Sequence, residues 1–302
     1  MTATATRFAR IDLSRLPPPP VLEVLDYEAI RAEILADLVA AAPDLADVIG
    51  LESEPLVKLV EIIAYRELGL RGRINDAAKA CMLAFATGGD LDHLAALFGV
   101  KRLLIDPGDP TAVPPVAPTL EDDMGFRART QLALEGQSVA GPEGAYLFHT
   151  LSAHGQVKDA SVTSPNPGEV VVAVLSTEGD GTPGQAVLDT VTAALDLARP
   201  LTDQLTVQAA AILPYSVEAS LTILPGPDPQ LVQDAAQAAL EAFADRQHGL
   251  GRDITIAGLH AALFVEGVQN VELTEPAADL AVDDLSAAHC TAIALAFGGI
   301  DV

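Results

Sequence analysis

The stretch RARTQLALEGQSVAGPEGAYLFHTLSAHGQVKDASVTSP, residues 127–165, decides how the rest of the chain is read. A helical pattern through Phe126, Gln131 and Leu132 runs into Glu135-Gly136, where glycine can adopt the left-handed conformation that closes a helix. Gly141-Pro142 and Gly144 then punctuate a turn. Tyr146, Leu147, Thr150 and Leu151 recur at helical spacing, and residues 157–162 alternate as a strand does. The block is an ordered corner between secondary-structure elements, and none of its residues forms a catalytic pattern.

Downstream, Pro165-Asn-Pro-Gly168 predicts a turn into EVVVAVLS, the clearest strand in the sequence. Thr182 and Pro183 open a helix that runs through Leu197, and residues 203–211 return as a strand. Residues 215–224 alternate again, followed by an Ala-rich helix over 231–244, a helix over 255–265, a strand over 268–274 and a final apolar strand over 289–297. Residues 145–165 and 256–276 share a helix–strand–Pro pattern at an offset of 111 positions, too thin in identities to indicate duplication.

Upstream, Leu16-Pro-Pro-Pro-Pro20 predicts a stiff extended spacer. Asp26 caps a helix carrying Ile30, Ile34 and Leu38, which Pro43 ends. Ser53 and Pro55 start a long helix predicted to reach about Ala86. Its stripe of Leu56, Leu59, Val60, Ile63, Leu70 and Ile74 exceeds what a small bundle must bury. Leu56, Leu59, Ile63 and Leu70 are therefore candidate partner-binding residues. Gly88-Gly89 predict a break, Asp90 a cap, and Gly99 the end of a short helix. Five prolines lie between Asp106 and Pro118 with no apolar periodicity, which predicts a linker with Gly108 and Asp109 as its hinge. Thr119 is expected to cap the helix that follows.

The expected fold class is α+β. An extended arm (1–20) leads into an all-helical unit (21–105) and the proline-rich linker (106–118). Two small mixed α/β modules (119–211 and 212–302) complete the chain.

Several blocks resemble one family. Besides residues 127–153, they are ATGGDLDHLAALFGVKR (86–102), DASVTSPNPGEVVVAVLS (159–176), RPLTDQLTV (199–207) and HCTAIAL (289–295). Together they resemble the baseplate assembly protein J family of contractile phage tails. The acidic segment 276–289 offers little to match. The resemblance implies a structural wedge subunit of a contractile phage tail or related injection particle. Such a subunit joins wedge proteins, and further copies of itself, into the ring around the central hub and helps couple baseplate changes to sheath contraction. It implies assembly in the host cytoplasm and residence in the virion tail baseplate. A soluble adaptor or scaffold outside phage particles, or an enzyme with an unrecognised site, are the alternatives.

Composition fits this implication without leading to it. Half of the 302 residues are hydrophobic, only 4% are aromatic, and Trp is absent, so the cores are built from Ala, Val, Leu and Ile. No apolar run reaches the ~18 residues of a membrane span, and the N-terminus lacks a secretory signal's apolar core. The net charge is −25, and residues 103–302 hold only six of the 17 basic residues. Such a surface repels nucleic-acid phosphates and attracts basic partners; a saline habitat would also explain it. Cys81 and Cys290 are expected as buried small hydrophobes.

Possible chemistry has a plainer reading at each place. His149 and His154 lie five apart, not at the i,i+4 spacing of two zinc ligands on one helix face. His289-Cys290 lacks a matching pair. The loop Glu178–Gly184 joins strand to helix but lacks the lysine of a phosphate-binding loop and carries two acids. Asp122-Asp123 suits a helix N-terminus, and Asp283-Asp284 an exposed loop. No GxSxG, HExxH or CxxC occurs. The expectation is a non-enzyme with no cofactor, metal, nucleic acid, membrane or small-molecule substrate.

Overall fold

A computed structural model describes residues 11, 13, 16–51, 53–226 and 228–301. The expected arm at 1–20 lies mostly outside them. The chain divides between Lys101 and Arg102 into two compact units.

The first unit is helical. Helix α1 (Tyr27–Ala41) begins at Asp26, whose carboxylate accepts from the backbone N–H of Glu28 at 2.9 Å and Ala29 at 3.2 Å. These are donors that the first helical turn leaves without intrahelical partners. Helix α2 (Pro55–Ala80) has proline at its first position, where no backbone donor is needed. It packs on α1, and Val57, Val60 and Ala64 are its buried apolar residues. Buried Asn75 clamps the chain ahead of α1: the Glu23 N–H donates to its Oδ1 at 3.0 Å, and its Nδ2 donates to the Glu23 carbonyl at 2.9 Å. Helix α2 ends six residues before the expected Ala86, so Cys81 caps it and is exposed instead of buried.

Helix α3 (Gly88–Ala96) starts at Gly88 itself, at φ +51°, so the glycine pair opens this helix and Asp90 lies in its first turn. Gly99 (φ +73°) closes α3: the Val100 N–H donates to Ala95 O and the Gly99 N–H to Ala96 O, both at 3.1 Å. This 6→1 and 5→2 pair satisfies carbonyls that the last turn would leave open.

The second unit starts with strands β1 (Leu104–Asp106) and β2 (Thr119–Leu120), paired antiparallel. Residues 107–118 therefore fold back as a closed loop, where a linker hinged at Gly108 and Asp109 was expected. Asp109 and Val116 exchange backbone bonds at 3.0 and 2.9 Å. Gly108 sits at φ +66°, where an added Cβ would lie 2.4 Å from the Val116 carbonyl oxygen. Thr119 is accordingly in a strand, and Asp122 caps helix α4 (Asp123–Gln131) by accepting from Gly125 N–H at 2.7 Å.

After a short turn at Glu135–Gln137 come α5 (Glu143–Ala153), β3 (Val157–Thr163), β4 (Glu169–Ser176), α6 (Gln185–Ala198) and β5 (Gln204–Ala209). The sheet order is β3-β4-β5, antiparallel then parallel. β4 reads as an unbroken apolar run because both of its faces are covered. Val172 and Val174 join Tyr146, Val187, Val191 and Leu195 in one core, while Ala173 and Leu175 meet Leu250 and Ala287 in another.

Only Ala210 separates β5 from β6 (Ala211–Ile223). Helices α7 (Pro229–Gln247) and α8 (Ile256–Leu263) and strands β7 (Val268–Glu275) and β8 (Ser286–Ile300) complete a second sheet, ordered β7-β6-β8. Its central strand again has one antiparallel and one parallel neighbour. The central strand leads the chain order in one sheet and follows the helix–strand pair in the other, so the repeated pattern is not a tandem copy. Leu221, Ile223, Leu240, Leu259 and Leu263 are fully buried in this core, each contributing roughly 1.5–3 kcal/mol. Fold class is thus α+β, with N-terminal helices followed by two small α/β modules.

The modules are joined tightly. Buried Asp159 on β3 accepts from the Leu250 N–H at 3.1 Å through Oδ2 and from the Ala160 N–H at 3.0 Å through Oδ1. With the apolar cluster around Leu175 and Leu250, this makes one body of the two sheets.

Candidate functional site

Helix α2 carries two apolar faces. At 100° per residue, Val57, Val60, Ala64 and Asn75 fall on one side, and these are the residues buried against the rest of the first unit. Leu59, Ile62 and Leu70 fall toward the opposite side, with Ile63 and Ile74 on its flank nearer Val60, and all five stay between 44% and 63% exposed. Leu56, half-buried, borders the same face. The four residues singled out from the sequence, Leu56, Leu59, Ile63 and Leu70, are thus brought together on one surface. Val60, placed in the same stripe from its spacing, belongs instead to the core. Arg66 and Arg73 stand exposed on the outer face between the apolar residues. The exposed apolar residues spread over about four turns of the helix, with Arg66 and Arg73 among them.

A second cluster lies where the two sheets of the second unit meet. An open cleft of about 560 Å³ is bordered by Lys158 of β3, Gly179, Asp245 of α7, His248, and His289 and Cys290 of β8. His248 bridges the modules: its Nε2 lies 3.1 Å from the Asp180 carbonyl and its Nδ1 3.0 Å from the Lys158 ammonium. Nε2–H therefore donates and Nδ1 accepts, which requires a neutral ring. The His289 ring stands 5.2 Å away. Burial, then the Lys158 charge, lowers the His248 pKa; burial also lowers that of Lys158 and raises that of the Cys290 thiol. A thiol kept neutral is a poor nucleophile.

A histidine with a folded pKa below its unfolded value, about 6.5, binds protons more readily when unfolded, so stability falls as pH drops below about 6.5 toward the folded pKa. The expected result is a thermal midpoint that declines between pH 7 and pH 5.5, with a shallower slope in His248→Gln. Equal slopes in the two proteins would show that this contact does not titrate.

The remaining sequence candidates resolve into local structure. His149 bonds the Gly136 carbonyl at 3.1 Å, and His154 Nδ1 accepts from the Gln156 N–H at 3.2 Å. In the Glu178–Gly184 loop, Asp180 accepts from the Thr182 N–H, which with other bonds to Thr182 lowers its pKa. Asp283 accepts from the Leu285 N–H in a turn. Among the described residues no group of three or more His, Cys, Asp or Glu is arranged to hold a metal ion. No described helix is long and apolar enough to cross a membrane.

Sequence reasoning missed a buried ionic network. Arg129, 4% exposed, reaches Glu121 through Nε at 3.1 Å and through a second nitrogen at 2.5 Å. Arg102 donates to the Glu121 carbonyl at 2.8 Å and pairs with Asp123 at 2.5 Å. Both guanidinium groups lie over the Phe126 ring, at 4.7 Å for Arg102 and 5.5 Å for Arg129. The network fixes the start of the second unit to α4 and serves structure.

Three family models match this chain in order. They are the Baseplate J-like N-terminal domain over 52–109, the Baseplate J-like central domain over 138–209 and the Baseplate J-like protein C-terminal domain over 215–296. The Baseplate protein J of Escherichia phage P2 is 47% identical over 298 residues, covering 96% of this chain and 99% of that protein. This chain belongs to the baseplate protein J family. It is a structural baseplate subunit of the phage-tail type. A more distant likeness, at 13% identity and a TM-score of 0.42, links 58% of this chain to 43% of a chain in the cryo-EM structure of the anti-feeding prophage (AFP) baseplate, 6-fold symmetrised.

Proposed function

We propose that this baseplate J chain is a wedge subunit, joining other wedge proteins and further copies of itself into the ring around the central hub. It acts without catalysis and is assembled in the host cytoplasm before taking its place in the tail. The supporting observation is the outer face of α2, a surface of helical length that the first unit leaves uncovered. Leu56, Leu59, Ile63 and Leu70 are its proposed contact residues, and a helix of a neighbouring baseplate protein is the geometry it suits. Co-expression with the other baseplate proteins of the same tail tests this: a stable heteromeric complex is expected, and a chain that remains monomeric in their presence contradicts it.

The family resemblance further implies more than one copy per wedge, in non-identical surroundings. One sequence satisfies two surroundings when rigid units turn about a short connection. Gly108 and Asp109 were the expected pivot, but the Asp109–Val116 bond pair closes that loop into the second unit. Val100 is bound to the end of α3, and Arg102 to Glu121 and Asp123. The pivot we propose is therefore the junction from Val100 to Arg102. Two copies in an assembled wedge should superpose unit by unit, with their difference confined to 100–102. Copies that superpose over their full length, or that diverge at Gly108-Asp109, would contradict it.

A further inference from the structure

Strand β8 is the edge of its sheet, and its sequence, SAAHCTAIALAFGGI, contains no Asp, Glu, Lys, Arg or Pro over 15 residues. Long apolar edges present unpaired backbone groups to any passing strand, and proteins ordinarily blunt them with charge, proline or a cover. Here the outer edge is covered only at its start, where Leu250 bridges to Ala287 and the Gly251 N–H donates to Ser286 O at 3.0 Å. From His289 onward no strand among the described residues pairs with that edge.

Two features say where a further strand would fit. The register with β6 slips once beyond Cys290 and again beyond Phe297, leaving Ala292–Phe297 as an unbroken six-residue run. The open cleft lies against β8 at its entrance, between residues 289–293 and the α7 side chains Gln237, Glu241 and Asp245. Space, a regular edge and an absence of charge on the strand coincide.

Charge decides the occupant. A second copy would bring together two chains of net charge −25, and antiparallel pairing of two β8 edges would set their acidic α7 helices toward one another. An extended segment bearing Lys or Arg would instead meet Glu241 and Asp245 as it entered, two carboxylates against the single ammonium of Lys158 in the same cleft.

We propose that the outer edge of β8, over Ala292–Phe297, receives one extended basic segment of another baseplate protein as an added strand. Main-chain bonds would supply the affinity and the flanking acids the selection. This rests on the chain's place in a baseplate and not on the α2 face.

Hydrogen exchange, followed by mass spectrometry on peptides spanning 290–300, tests it in the full chain alone and in purified tail particles. In the free chain about half of these amides should exchange rapidly, because alternate N–H groups of an edge strand point outward. In the particle they should slow by at least ~100-fold. Detecting the chain in the particles by the same spectra separates failure of this inference from failure of the baseplate assignment. Rapid exchange of residues 292–297 in particles that contain the chain would overturn the proposal. So would protection that appears in the isolated chain as its own concentration rises, because that would make a second copy the occupant.

Discussion

Replacing Leu59, Ile63 or Leu70 by Glu, one at a time, should weaken binding of the chain to its baseplate partners by at least ~30-fold, about 2 kcal/mol, the threshold of an interface hot spot. The circular dichroism spectrum and thermal midpoint of the isolated chain should stay close to those of the parent. All three side chains are between 44% and 62% exposed, so a carboxylate there remains in water when the chain is alone. In a helix–helix interface the same carboxylate would be desolvated without a partner. Val60→Glu supplies the contrast, because Val60 is 3% exposed and faces the core; it should unfold the first unit. Loss of folding in all four variants would make the outer face part of the core. Unchanged binding in the three outer variants would place the interface elsewhere.

The largest effect on stability is expected at Arg129. Its guanidinium is held by Glu121 inside the second unit and stacks near Phe126. Arg129→Met leaves the Glu121 carboxylate buried without that charge, a change that costs about 3–5 kcal/mol in comparable pairs. For a unit of this size the thermal midpoint should fall by roughly 10 °C. Arg129→Met combined with Glu121→Gln should recover part of the loss. The amide has no charge to strand, and its oxygen still accepts from the Leu103 N–H, which now donates to Glu121 at 3.2 Å. Chemical denaturation of the three proteins measures this. A single-variant loss below about 1 kcal/mol, or a double variant no more stable than the single, would show that the ion pair is not what secures the start of the second unit.

What could be read from the sequence was whatever has a local signal. EVVVAVLS announces a strand because β-branched residues run unbroken, and Asp26 and Gly99 announce helix ends because capping is settled within a few residues. The antiparallel pair β1–β2 has only three and two residues, too few for any period, so its prolines suggested a linker. Thr119 and Asp122 are both good caps, and strand pairing decided between them. For α2 the spacing showed an excess of apolar surface but not which side faced inward. The smaller Val57, Val60 and Ala64 are the ones buried, and the larger Leu59, Ile62, Ile63, Leu70 and Ile74 stay outside. His248 and Lys158 meet across 90 positions, and Arg102 and Asp123 across 21. No spacing rule reaches such pairs. Family membership, by contrast, was visible as several ordered blocks spread along the chain.

The most direct test of the assembly account is a density map of the intact tail in which side chains of the baseplate are resolved. The outer face of α2, at Leu59, Ile63, Leu70 and Ile74, should be covered by a helix of another chain in every copy of this subunit, with the apolar side chains interdigitated and excluded from water. A map in which that face is open to solvent throughout the ring would contradict the account.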